Sequence, residues 1–140
     1  MSENTKIVEK WIDYINRKNF SDYGDVFNDD GYVTYGGGDL GIARGPEAIG
    51  KLFEKFSSAT PDLHKRSEEL FDAAVGRVVG RFLTRGTHTG SFMGIPASGN
   101  KIAIYGVAIY RFANGKIAHE WNMDDLLGLM QQIGAVPKPN

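Results

Sequence analysis

At Pro61 the chain changes character, from segments with helical periodicity to a run of alternating, β-branched segments. After that break, residues 66–74, 77–89, 101–112 and 116–125 read as strands. Val75-Gly76 marks one turn, and Ala113-Asn114-Gly115 joins the last two strands as a hairpin. Before the break, Ile7, Trp11, Tyr14 and Ile15 recur at helical spacing on a helix that starts near Asn4 or Thr5. A short second helix is expected from Ser21, as its cap, to Phe27. Asn28-Asp29-Asp30-Gly31 is turn chemistry, 32–35 reads as a strand, and Gly36-Gly37-Gly38 breaks it. Gly45-Pro46-Glu47 opens a third helix, with proline in the first turn and an acid at the positive end of the dipole. Ile49, Leu52, Phe53 and Phe56 give that helix one apolar face before it stops ahead of Pro61, and 126–133 reads as a short closing helix. Helices first and antiparallel strands after predict an α+β fold, with helices on one face of a curved sheet.

Composition narrows the function. A chain of 140 residues without internal repeat or linker fits one domain, 1–140. A net charge of −1 with scattered Lys and Arg speaks against a general nucleic-acid binder and against a polybasic membrane patch. The polar start lacks a signal-peptide core, and no apolar run approaches the roughly 20 residues that span a bilayer, so a cytoplasmic location is expected. Without cysteine there is no thiolate zinc site, disulfide scaffold or thiol nucleophile. His64, His88 and His119 have no metal-ligand spacing, and neither a Gly-x-Ser-x-Gly elbow nor a phosphate-binding glycine loop is present. For an enzyme, cofactor-free acid–base chemistry remains.

Strand parity then selects candidate side chains, because successive residues alternate faces. In the last strand Ile117, His119, Trp121, Met123 and Asp125 share one face, and Ala118, Glu120, Asn122 and Asp124 share the other. Three large apolar residues place the first set inward and carry Asp125 with them, provided no bulge intervenes. Burial would raise the pKa of such an acid toward the range useful for proton transfer. Asp125 also suits the N-cap of the following helix, and the two roles are compatible. In the long strand Val79, Arg81, Leu83, Arg85 and Thr87 read as the outer face, which turns Phe82, Thr84, Gly86 and His88 inward. His119 faces inward by the same parity. Tyr14, Tyr35 and Tyr110 are candidate donors to a carbonyl or enolate oxygen, or core aromatics with a satisfied hydroxyl. Trp121 and Phe53 are assigned to the apolar wall.

Several segments carry a family resemblance, in order along nearly the whole chain. They are Gly45-Pro46-Glu47-Ala48-Ile49, Thr60-Pro61-Asp62-Leu63, Arg85-Gly86-Thr87-His88-Thr89-Gly90, Gly94-Ile95-Pro96, Tyr110-Arg111-Phe112 and Gly115-Lys116-Ile117-Ala118-His119-Glu120-Trp121, with a tail over 125–134. The chain resembles the SnoaL-like polyketide cyclases, which share the fold of ketosteroid isomerase and nuclear transport factor 2. The resemblance implies a cone-shaped α+β barrel, with a strongly curved, mostly antiparallel sheet and N-terminal helices closing a pocket for a small hydrophobic molecule. It further implies a homodimer through the sheet, and an intramolecular aldol ring closure without metal or cofactor. An inward aspartate near the end of the last strand acts as acid/base in that chemistry. By motif position it is Asp125, with Asp124 the alternative one residue away. Where the family often has histidines, this chain has Tyr35 and Tyr110.

Three functions stay open at this level. The first is a cyclase in which Asp125 moves the proton and His88 with Tyr35 or Tyr110 binds oxygens. The second is an epoxide hydrolase, which would want an inward arginine. The third is a non-catalytic binding or dimerisation module, in which Asp125 serves only as a helix cap.

Overall fold

The computed structural model describes residues 2–35 and 41–139. Its elements are α1 (Glu3–Asn16), a single 3-10 turn (Tyr23–Asp25), β1 (Phe27–Tyr35), β2 (Ile42–Arg44), α2 (Gly45–Ala59), β3 (His64–Ala74), β4 (Arg77–Thr87), β5 (Lys101–Ala113), β6 (Lys116–Asp124) and α3 (Leu126–Gln132). The six strands form one mixed sheet in the order β2-β1-β6-β5-β4-β3, antiparallel throughout except where β1 runs parallel to β6. This is the α+β cone read from the sequence, with one difference. The sheet is open, with β2 and β3 as its edges, and does not close into a barrel.

Local chemistry explains most element ends. Ser2 caps α1 by accepting from the Thr5 N–H at 3.1 Å, and α1 buries Val8, Trp11, Ile12 and Ile15. The buried stripe is therefore rotated from the expected one, leaving Ile7 and Tyr14 at its margin. Pro46 lies in the first turn of α2 as anticipated. Asn114 and Gly115 both take positive φ, 54° and 79°, as a two-residue hairpin with native strand twist demands. Two expectations fail. The segment after Ser21 makes only one 3-10 turn, having too few residues to repay helix nucleation. Residues 28–31 are not a turn but part of β1, whose register against β6 shifts between Phe27 and Tyr32. β2 was not anticipated, and the expected break at 36–38 lies outside the described residues.

The core lies between α1, α2 and the inner face of the sheet. Trp11 is its centre, with the rings of Tyr23, Phe27 and Phe53 edge-on at 4.5, 4.9 and 5.0 Å. Side-chain amides close the exposed strand edges. Asn16, at the end of α1, bonds both the N–H and the C=O of Lys65 at 2.8 Å. Gln132 of α3 does the same to Ala103, at 2.7 and 3.0 Å. Each amide imitates the strand that is missing there, and so fixes a helix over the cavity described next.

Candidate active site

Between α2, α3 and the inner sheet face lies a cavity of about 770 Å³. Phe53, Phe56, Ile102, Ile104 and Leu129 make much of its apolar wall. Tyr35, Lys65, Thr84, His88 and Asp124 supply polar groups. Ser91, Phe92 and Met93 border it as well, so the glycine-rich loop after β4 begins at the cavity.

The acid at the end of β6 is the main correction to the sequence reading. Asp125 is exposed, and its carboxylate accepts from the Gly128 N–H at 2.8 Å as the N-cap of α3. Asp124 is the acid that borders the cavity. The cause is a bulge. Arg111 pairs with His119 but Phe112 pairs with Ile117, so Ala118 is an extra residue in β6. Ile117 points into the core, and beyond the bulge Glu120, Asn122 and Asp124 do so instead of their odd-numbered neighbours. Trp121 and Met123 are left on the outer face at 44% and 59% exposure.

Gly106, in register opposite Asp124, makes this inward placement feasible. A Cβ at Gly106 would overlap the Asp124 carboxylate, so the absent side chain is the space the acid occupies. Burial raises the Asp124 pKa, and the positive charge of Lys65 partly offsets that. A carboxyl held above its usual range on an apolar wall is suited to both taking and returning a proton.

His88 occupies a cavity position, as parity suggested, and so does Tyr35. The Ser98 N–H lies 3.1 Å from His88 Nδ1, and Ser98 Oγ lies 2.9 Å from it. A backbone N–H can only donate, so Nδ1 accepts and the ring hydrogen is on Nε2. That Nε2 is buried with no partner among the described residues. His88 is thereby arranged as a donor. Burial, then the nearby carboxyls of Glu120 and Asp124, pushes the Tyr35 phenol well above its normal range, so it too donates.

Four other candidates lie elsewhere. Tyr14 donates to Asp25 at 2.7 Å, away from the cavity. His119 and Trp121 are on the outer face. His119 stacks on Tyr32 at 3.9 Å and sits 2.9 Å from Thr34 Oγ1, and burial with the Arg111 and Arg44 charges lowers its pKa to about 4. Tyr110 is fully buried in the core rather than on the cavity wall. Phe53 does line the cavity.

Parity also hid Glu120. It is wholly buried, and its Oε1 accepts from Trp11 Nε1 at 2.9 Å while Oε2 has no partner among the described residues. Tyr110 stands opposite it in register and close to its carboxyl, but no hydrogen bond of normal geometry joins the two. Burial raises the Glu120 pKa, with Lys65 and the Trp11 donor acting against the rise. Below the unfolded value of about 4.5 the carboxyl is protonated in both states and its burial is not penalised. As pH rises above that value, stability falls by up to about 1.4 kcal/mol per unit, and the loss levels off once the folded carboxyl also ionises. Glu120→Gln keeps an acceptor for Trp11 and removes the titration. Its melting temperature is expected to exceed that of the wild type by a margin that widens from pH 4.5 to 8, measured by calorimetry; a margin that narrows would refute the assignment.

A family model for SnoaL-like polyketide cyclases matches residues 4–133. The chain belongs to the SnoaL-like polyketide cyclase family. A proposed SnoaL-like polyketide cyclase from Jannaschia superposes with a TM-score of 0.86 at 20% identity, covering 96% of this chain and 94% of that one. A SnoaL-like polyketide cyclase from Agrobacterium tumefaciens gives 0.76 at 23% identity, covering 96% and 100%. AclR of Streptomyces galilaeus, a proposed hydroxylase, gives 0.84 at 23% identity, covering 100% and 86%. At these identities the likeness establishes the fold, and proteins with different assigned chemistries share it. No curated protein sequence matches this one significantly. Among the described residues no helix is long and apolar enough to cross a membrane, and no cluster of His, Asp or Glu suits a metal ion.

Proposed function

We propose that this SnoaL-like protein is an acid–base enzyme that closes a ring in a hydrophobic, polyketide-like or aromatic carbonyl compound by an intramolecular aldol-type step. The observation that carries this reading is the Asp124 carboxyl on the wall of a large apolar cavity. Asp124 takes the proton from a carbon next to a carbonyl. The enolate oxygen accepts hydrogen bonds from His88 Nε2 and the Tyr35 hydroxyl, donors already in place before charge develops. The enolate carbon then bonds to a second carbonyl carbon of the same molecule, and the resulting alkoxide receives the proton back from Asp124. The cavity needs no arginine for this, and none borders it, so epoxide hydrolysis is the weaker reading.

The test is exchange of α-protons in heavy water, followed by NMR, for a panel of aryl and polycyclic ketones. Exchange that depends on the wild-type protein and is lost in Asp124→Asn is the expected result. Ketones that bind without exchanging would replace the enzyme by a carrier.

A homodimer through the outer sheet face belongs to the same proposal. Tyr105, Val107, Ile109, Trp121 and Met123 are adjacent there across β5 and β6, all between 43% and 59% exposed. Glu69 and Arg81 stand on the neighbouring strands, in register, so the polar margin carries both charges and can meet its own copy. Sedimentation equilibrium is expected to give a dimer, and Ile109→Asp a folded monomer. A wild type that stays monomeric at about 100 μM, far above the Kd of a stable dimer, would overturn this.

A further inference from the structure

One charged group that the aldol reading does not employ is buried at the cavity. Lys65 on β3 is only 6% exposed, yet it borders the cavity. Its backbone N–H and C=O are both held by Asn16, and its ammonium lies 4.5 Å from the centre of the Phe82 ring. The ion pairs among the described residues are all at the surface and Lys65 joins none of them; nor does its ammonium donate to any described acceptor. Lysine is almost never buried without an anionic or hydrogen-bonding partner, because the hydration its ammonium loses is repaid only in part by an aromatic face. Asp124 and Glu120 feel its charge but do not touch it.

We propose that Lys65 anchors an ionised oxygen of the ligand, so that the cavity selects molecules carrying a carboxylate or an acidic phenol or enol over their neutral analogues. This rests on the reading of the cavity as the substrate site, and adds the substrate's charge to it. Lys65 pairs in register with Thr84, and Asp124 with Gly106, so the two groups project from opposite flanks of β4 and β5. A flat ligand lying across those strands meets the ammonium at one end and the acid at the other. The anion at the Lys65 end supplies the missing counter-charge and fixes which carbon lies beside Asp124. Cation and ligand meet in a low-dielectric cavity, where a charge-assisted hydrogen bond is at its strongest.

Matched pairs test it: 2-naphthoic acid against 2-naphthamide, and anthraquinone-2-carboxylic acid against its amide, by titration calorimetry at pH 7. The wild type is expected to bind each acid about tenfold or more tighter than the amide, as a charge-assisted bond implies. Lys65→Met is expected to bring the two within about twofold while still binding the amides, and to melt no lower than the wild type, since an apolar isostere replaces an unpaired charge. Lys65→Gln repeats the measurement in a variant that keeps a polar tip. A wild type without the preference, including one that binds neither member of any pair, overturns the proposal. So does a preference that survives both substitutions. Asp124→Asn separates the two readings, because it should abolish exchange and leave the acid preference intact. Exchange indifferent to Asp124, with the preference intact and dependent on Lys65, would defeat the ring-closing reading alone.

Discussion

Asp124→Asn is expected to lower the rate of α-proton exchange by about 10²- to 10⁴-fold, the range that a positioned general base contributes. The amide is nearly the same size and shape as the acid but cannot take the proton. Ketone binding should therefore change little, and the loss should appear in kcat rather than KM. The neighbouring residue is the control. Asp125→Ala removes the cap of α3, with an expected cost of about 1 kcal/mol in stability and no comparable loss of exchange. The wild-type rate should follow the ionisation of a carboxyl whose pKa burial has raised, rising with pH through that value. If Asp125→Ala were the variant that lost activity, the placement of the two acids would be wrong.

Gly106→Ala is expected to be nearly as damaging, although Gly106 has no side chain to take part in chemistry. Its new Cβ would occupy the space of the Asp124 carboxylate, and the acid would have to rotate away. The clash is with the end of a side chain, so the strand can stay in place and the variant should fold, losing about 1–3 kcal/mol as overpacked sites do. A displacement of about 1 Å at a reacting group costs about 100-fold in rate. The measurement is the same exchange assay beside a melting curve. A folded Gly106→Ala variant with full activity would show that Asp124 does not work from the position described here.

Both predictions depend on residues that strand alternation assigned to the wrong side, and the reason is specific. Alternation sorts residues into two sets but does not say which set faces the core. In β6 the set containing Trp121 and Met123 is the more apolar, and a single-sheet argument puts it inside. Here both faces of the sheet carry apolar residues, the inner one against α1 and α2 and the outer one exposed. The bulge at Ala118 then lets Ile117 remain in the core while every later residue changes side. Glu120, wholly buried and bonded to Trp11, looked like a surface residue for the same reason. β4 has no such interruption against β5, and there parity placed Phe82, Thr84 and His88 correctly.

Local chemistry alone determined the three α-helices, the succession of strands after Pro61, the Asn114-Gly115 hairpin, the start of α2 and the end of β6 at an acidic pair, because turn, cap and periodicity signals act over a few neighbouring residues. The ordered motifs along the chain carried the family, which the family match over residues 4–133 bears out. Which of the two acids enters the cavity, that Glu120 is buried beneath Trp11, and that Lys65 has no counter-ion among the described residues were decided only by tertiary structure. Each depends on the register between strands distant in the chain and on what packs against each face. A one-residue shift in that register reverses every side chain beyond it.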